Sequence, residues 1–411
     1  MKKQNWVFLS WGGKRLMSIA LSVTEAAFSQ AQGRLTIHYY EVMLLLTNGF
    51  NRMVELLFYV GYCGEFPVYL ANRIDGHWDW NRHVVYRALE KGYVTMYRGK
   101  YRQRILKSLR LTDAGLDYLG TRDELSGRRV LAKMDENALS HAGLEKMSRA
   151  HSLAVGFVMS VNAGAVVFPE QKPSLMLKTY NPHPGIEPDI SYYYSPQEIR
   201  NAIRELDWKT SPKTTRLIGV IIHGERLFCL YNTGYSRMYW MKNEEENTVA
   251  SIHSLLSARG FRTEITSQAV IGNNMRVAKR IARLGINKPS RYFVITDAFN
   301  NCYFLTNDIN GDDLLRIIID PAASFKEDRR FLNGYRIPDY ENATYDALTP
   351  DGLHPVMLGY QCDLFTLLNM DETPRGFNWP PIVLCYDYQA DVLQSIVKPS
   401  IEVRPVTGGA S

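Results

Sequence analysis

Most of the motifs that announce an enzyme are missing from this chain of 411 residues. Its five cysteines, Cys63, Cys229, Cys302, Cys362 and Cys385, lie far apart with no C-x-x-C pair, which argues against a zinc ribbon and against a disulfide framework. Reduced thiols of this kind fit a cytoplasmic protein. No window approaches the length of a membrane span, so membrane insertion is not expected. The apolar stretch at 16–23 is short and follows a Gly-Gly-Lys-Arg run, so a secretory signal is not expected either. There is no G-x-x-x-x-G-K-[ST], no G-x-S-x-G, no H-E-x-x-H and no metal-holding H-x-H run. Internal repeats and low-complexity segments are absent too. Charged residues are 22% and apolar residues 45%, an ordinary globular balance, and the formal charge of +6 is modest.

The charge is informative only locally. From Lys91 to Arg110 the chain carries Lys91, Arg98, Lys100, Arg102, Arg104, Lys107 and Arg110 with no Asp or Glu. Ahead of it the spacing predicts an apolar helix over 52–59, a short one over 66–73, and a third in which Val84, Val85 and Leu89 share a face. Gly92 stops that third helix, Arg98-Gly99-Lys100 offers a hairpin tip, and Thr112 is placed to cap a closing helix. This order predicts a winged helix-turn-helix over 46–120. Its Lys and Arg would neutralise phosphates, and Asn81, Arg82, His83 and Arg87 would reach base edges. The competing reading is a solvated sheet edge whose charges discourage pairing, or a protein-interaction module on the same scaffold. Acidic residues gather instead at Glu244 to Glu246 and at Asp312 and Asp313.

The length predicts two or three domains. Residues 1–45 read as an N-terminal extension and the polar stretch 121–138 as a linker. Residues 139–260 read as an α/β domain: a helix over 144–162, then strands at 165–168, 175–180, 190–194, 216–222 and 226–231, then a helix over 248–258. Residues 261–411 read as a second α/β region of unknown role, with strands at 292–296, 302–305 and 382–386. The expected class is α+β.

One helix followed by strands, with Pro188-Asp189 opening a strand, is the outline of a PD-(D/E)xK nuclease core, intact or degenerate. There an Asp and a second carboxylate hold Mg²⁺ or Mn²⁺ beside a Lys. Asp189 and Glu198 would be the metal ligands, and Arg200 stands where Lys is wanted; it can stabilise phosphate charge but cannot act as a base. Ser195-Pro-Gln-Glu198 also has the form of a capping box, which gives Glu198 a purely structural use. Asp207 and Lys209 form a second candidate pair that supplies the missing Lys. Tyr192, Tyr193 and Tyr194 alternate in a strand, which favours packing over nucleophilic chemistry.

These landmarks, together with 111–115, Arg149-Ala-His151, Lys172-Pro173, 194–200, Thr215-Arg216 and Tyr231-Asn232, resemble the replication-relaxation proteins of Gram-positive mobile elements, similar in layout to MOBC-type relaxases. The likeness covers roughly residues 50–320. It implies a site-specific relaxase that nicks double-stranded DNA at a plasmid or conjugative-element origin, working with other transfer or replication proteins. It also implies Asp189 as the metal-binding Asp and Glu198 as the second carboxylate. The alternative is a non-catalytic origin-binding accessory protein or transcriptional regulator with a degenerate nuclease domain; a regulator sensing a small ligand through its C-terminal region is a third.

Overall fold

The computed structural model describes residues 52–74, 78–101, 104–136, 143–176, 185–205, 215–235, 238–338, 344–372, 374 and 376–406. The expected extension over 1–45 lies outside them, as do Arg102, Asp207 and Lys209. The protein is mixed α+β with three sheets among the described residues.

Helix α1, Arg52–Cys63, buries Met53, Val54, Leu56, Leu57, Phe58 and Val60, too many for a single apolar stripe, so it is packed on more than one side. A two-residue strand β1, Phe66–Pro67, and a 3-10 helix, Val68–Arg73, lead to α2, Trp78–Glu90. Gly92 ends α2 at φ 69°, where the Gly92 amide donates to Leu89 O and the Tyr93 amide to Ala88 O. This paired closure is what a left-handed glycine allows. Strands β2, Val94–Tyr101, and β3, Arg104–Leu111, form an antiparallel hairpin, and the small sheet has the order β1-β3-β2. Thr112 caps α3, Asp113–Arg122, accepting from the Gly115 amide at 3.1 Å.

Two expectations change here. The hairpin does not turn at Arg98-Gly99-Lys100: these lie inside β2, with Arg98 opposite Lys107 and Gly99 opposite Leu106. Gly99 is needed for a close approach, since a Cβ there would stand 2.1 Å from Leu144 Cδ2. The expected linker over 121–138 is instead helical as α4, Glu124–Glu136, which packs on α1; Val130 sits where a Cβ on Gly61 would be.

Helix α5, Leu144–Asn162, buries Met147, His151 and a run from Ala154 to Ser160. It lies between the small sheet and a five-stranded sheet of order β4-β5-β6-β7-β8. Strands β4, Ser191–Tyr194, β5, Leu217–His223, and β6, Arg226–Gly234, are antiparallel; β7, Ile265–Gly272, and β8, Asn301–Thr306, continue in parallel. The boundary expected at 260 therefore runs through one sheet, because β7 and β8 complete what β4 to β6 begin. Strand β5 is buried along its whole length, as a central strand covered on both faces must be. Helices α6, Pro196–Glu205, α7, Lys242–Ala258, α8, Met275–Ala282, α9, Ile309–Ile319, and α10, Pro321–Phe331, belong to this body. A smaller sheet, β12-β11-β10-β9, comprises Glu402–Pro405, Ile382–Cys385, Pro355–Leu358 and Ala347–Leu348.

The small sheet and the large one are tied by buried polar contacts as well as by α5. Arg73 forms a bidentate ion pair with Asp312 of α9, and Asn162 of α5 donates to Asp312 Oδ2 at 2.8 Å. Residues Arg52–Ser411 form one compact unit. No helix among the described residues is long and apolar enough to cross a membrane.

Candidate nucleic-acid interface

Helical periodicity divides α2 into two faces. Asn81, Val85 and Ala88, spaced i, i+4, i+7, point inward. Asn81 is only 4% exposed, and its Nδ2 donates to Ile74 O at 2.9 Å. It therefore braces the chain entering α2 and is not presented to a groove, contrary to the expectation from sequence. Arg82, His83, Tyr86 and Arg87 are exposed on the other face, with the Arg82 guanidinium 5.7 Å from the Tyr86 ring centre.

The hairpin is divided the same way by the alternation of a strand. Arg98, Lys100, Ile105 and Lys107 share one face with Met96 and Leu109, since directly opposed residues point the same way. The hairpin, the 3-10 helix, α2 and His151 of α5 line an open cleft of about 570 Å³, where Arg82, Arg98 and Lys107 stand with Tyr86, Met96 and Ile105 among others. None of the exposed cations Arg82, Arg87, Lys91, Arg98, Lys100 and Lys107 forms an ion pair with a described residue. Lys91 lies over the Tyr93 ring at 5.8 Å.

The opposite face is turned toward the rest of the molecule. Gly99 meets Leu144, and Arg110 pairs with Glu65 at 2.5 Å while lying 4.6 Å over the Tyr97 ring. Arg104 lies 4.5 Å over the Tyr235 ring, at the end of β6. The hairpin cations thus differ in their contacts: Arg110 is half-buried and paired with Glu65, and Arg104 is exposed but lies on the Tyr235 ring, where the sequence shows a single basic run.

The carboxylates expected to bind metal are not brought together. Asp189 is exposed ahead of β4, and Glu198 lies beyond its other end in α6. Between them runs a four-residue strand, roughly 13 Å of extended chain. Glu198 is already committed: Oε2 accepts from the Ser195 amide at 2.8 Å, Oε1 from Lys172 Nζ at 2.8 Å, and the Glu198 amide donates to Ser195 Oγ at 3.3 Å. Burial alone would raise its carboxyl, but the Lys172 charge, with these hydrogen bonds, outweighs burial and holds it below the ordinary value of 4.5. The capping-box reading of Glu198 is the one that describes its contacts. Arg200 donates to Gln197 Oε1 at 2.8 Å within the same helix. Among the described residues no group of three or more His, Cys, Asp or Glu side chains is placed to hold a metal ion.

Lys172 received no role from sequence, yet it is closely held. It is 2% exposed, donates to Val167 O at 3.0 Å and Tyr193 O at 2.5 Å as well as to Glu198, and lies 4.6 Å over the Tyr194 ring. The three tyrosines of β4 are buried, with Tyr193 Oη donating to Ile218 O and Tyr194 Oη to Pro173 O. At the other end of β4, Ser191 Oγ and His223 Nδ1 are 2.9 Å apart. The acidic run in α7 is partly structural too: Glu245 accepts from the Arg216 amide and from Thr215 Oγ1, anchoring the start of β5.

No protein family, curated protein or solved structure matches this chain.

Proposed function

We propose that residues 52–122 form a winged helix-turn-helix that binds double-stranded DNA, with the exposed face of α2 in the major groove and the open face of the hairpin along the phosphates. The observation that carries this reading is the convergence of Arg82, Arg98 and Lys107, from α2 and both strands of the hairpin, on one open cleft with no acidic partner among the described residues. Unpaired cations on a rigid frame neutralise phosphates and release counterions. Arg82, His83 and Arg87 are left as the base-reading candidates, and Arg98, Lys100 and Lys107 as the phosphate contacts. The element order of helix, strand, short helix, helix and hairpin supports the same assignment.

Of the functions expected from sequence, the binder is better supported than the metal-dependent relaxase. Asp189 and Glu198 stand at opposite ends of β4, and Glu198 is held by Lys172. The protein is therefore proposed as an origin-binding accessory protein or regulator, whose likeness to replication-relaxation proteins lies in its layout.

Fluorescence anisotropy on a mixed-sequence 25-base-pair duplex tests this. Each phosphate contact contributes about 0.9 to the slope of log affinity against log salt. The double variant Arg98→Ala, Lys107→Ala is expected to lower that slope by about 2, with the same binding in EDTA as in Mg²⁺. An unchanged slope would remove the cleft from the interface. Nicking of supercoiled origin DNA that is lost in Asp189→Ala would restore the relaxase reading.

A further inference from the structure

The described residues carry a second basic surface, around α8, that the sequence reading left without a role. From Ile265 to Thr296 there are six cations, Arg276, Lys279, Arg280, Arg283, Lys288 and Arg291, and no Asp or Glu. All but the half-buried Lys279 are exposed, and none forms an ion pair with a described residue. Three large aromatic side chains stand out beside them: Tyr235 is 54% exposed, Tyr239 50% and Tyr292 37%.

These residues are held together by backbone contacts. Arg280 Nη1 donates to Tyr235 O at 3.1 Å. Tyr239 and Tyr292 are paired across an antiparallel bridge, flanked by bonds from the Trp240 amide to Arg291 O and from the Phe293 amide to Met238 O. Beneath the bridge, buried Trp240 packs edge-on against Tyr231 and Phe293. The Tyr239 and Tyr292 rings are thus mounted on a paired backbone. Tyr235 also carries Arg104 of the hairpin on its ring, which joins this surface to the basic hairpin.

We infer that the rim formed by Tyr235, Tyr239 and Tyr292 among Arg280, Arg283 and Arg291 binds single-stranded DNA beside the duplex held at the hairpin. Exposed rings on a rigid backbone offer stacking faces for unpaired bases, which a duplex keeps stacked on one another; the neighbouring cations follow the phosphates. The inference rests on the DNA-binding reading above for the identity of the polymer.

The test compares oligo-dT of 20 nucleotides with the 25-base-pair duplex by anisotropy, using the full chain. The variant Tyr235→Ala, Tyr239→Ala is expected to lose about tenfold or more in affinity for oligo-dT, while duplex affinity stays within about twofold. Tyr235→Phe, Tyr239→Phe is expected to bind oligo-dT like the wild type, since the rings remain. Unchanged oligo-dT binding by the alanine pair, failure of the phenylalanine pair to retain it, or tighter binding of oligo-U than of oligo-dT would each overturn the inference. Oligo-dT binding that survives Arg98→Ala, Lys107→Ala while duplex binding is lost supports it, because the two surfaces then act separately. Wild-type protein that binds oligo-dT but no duplex would remove the earlier reading and overturn the placement beside a duplex, leaving only the single-strand contact of this rim.

Discussion

Lys172 and Arg98 are both cations, and they live in opposite ways. Lys172 is enclosed, with a carboxylate, two carbonyls and the Tyr194 ring around it. Arg98 lines an open cleft with no acidic partner among the described residues. Desolvating a charge costs several kcal/mol, so a buried cation persists only where its partners are complete. An exposed cation carries no such cost and remains available to an outside anion. The difference separates charges that hold this fold from charges that can serve a partner, and the sequence alone shows no such distinction.

The largest effect expected from the comparison is on the enclosed side. Lys172→Met removes the cation but leaves the Glu198 carboxylate and two carbonyls without it, and is expected to cost about 3–5 kcal/mol in urea unfolding. Adding Glu198→Gln keeps the capping-box geometry, removes the stranded charge, and is expected to recover part of that loss. A single variant as stable as wild type would show that the pair does not hold β4 against the loop before it.

A second enclosed group gives a pH test. Burial pulls His151 from 6.5 to about 4, with only the Glu65 carboxylate opposing it, and its Nε2 has no hydrogen-bond partner among the described residues. The folded state therefore declines a proton that the unfolded chain takes up. Stability is full above about pH 6.5 and falls as the pH drops toward 4, by up to about 3 kcal/mol. Glu198 acts in a lower window: its folded value is depressed, so its contribution is present above about 4.5 and is lost as the pH falls through the depressed value. His151→Leu should flatten the upper window alone. If urea midpoints of wild type and His151→Leu ran parallel from pH 7 to 4.5, the neutral buried state of His151 would be wrong.

What could be read from the sequence follows the range of the interaction. Helix α5 spans the residues its apolar period predicts, and Thr112 and Ser195 cap helices as their spacing says. These are local arrangements, written in neighbouring residues. Asn81 was also legible: once Val85 is placed inward, a residue four positions earlier shares its face. The turn assigned to Gly99 was not, because the reason for that glycine is Leu144, which arrives from a helix much later in the chain. Parallel pairing of β6 with β7 and of β7 with β8 is equally invisible to local pattern, so the boundary expected at 260 falls inside the sheet. Asp189 and Glu198 look close in sequence, but an intervening strand carries them apart. Nothing in its own neighbours marks Lys172 as buried, and the likeness offers it only as a landmark.

The smallest expected effect is as informative as the largest. Glu124 and Arg128 form an i,i+4 pair on α4 with both side chains 74% exposed, so their charges remain largely in water. Such pairs contribute about 0.3–0.5 kcal/mol, and Arg128→Ala should shift urea stability by no more than this. The same chemistry, a cation beside a carboxylate, would then differ about tenfold between α4 and the Lys172 site through solvent exposure alone. A loss above about 1 kcal/mol at Arg128 would mean that exposure is not what sorts these charges. The open hairpin cations could then no longer be set apart from the structural ones on that ground.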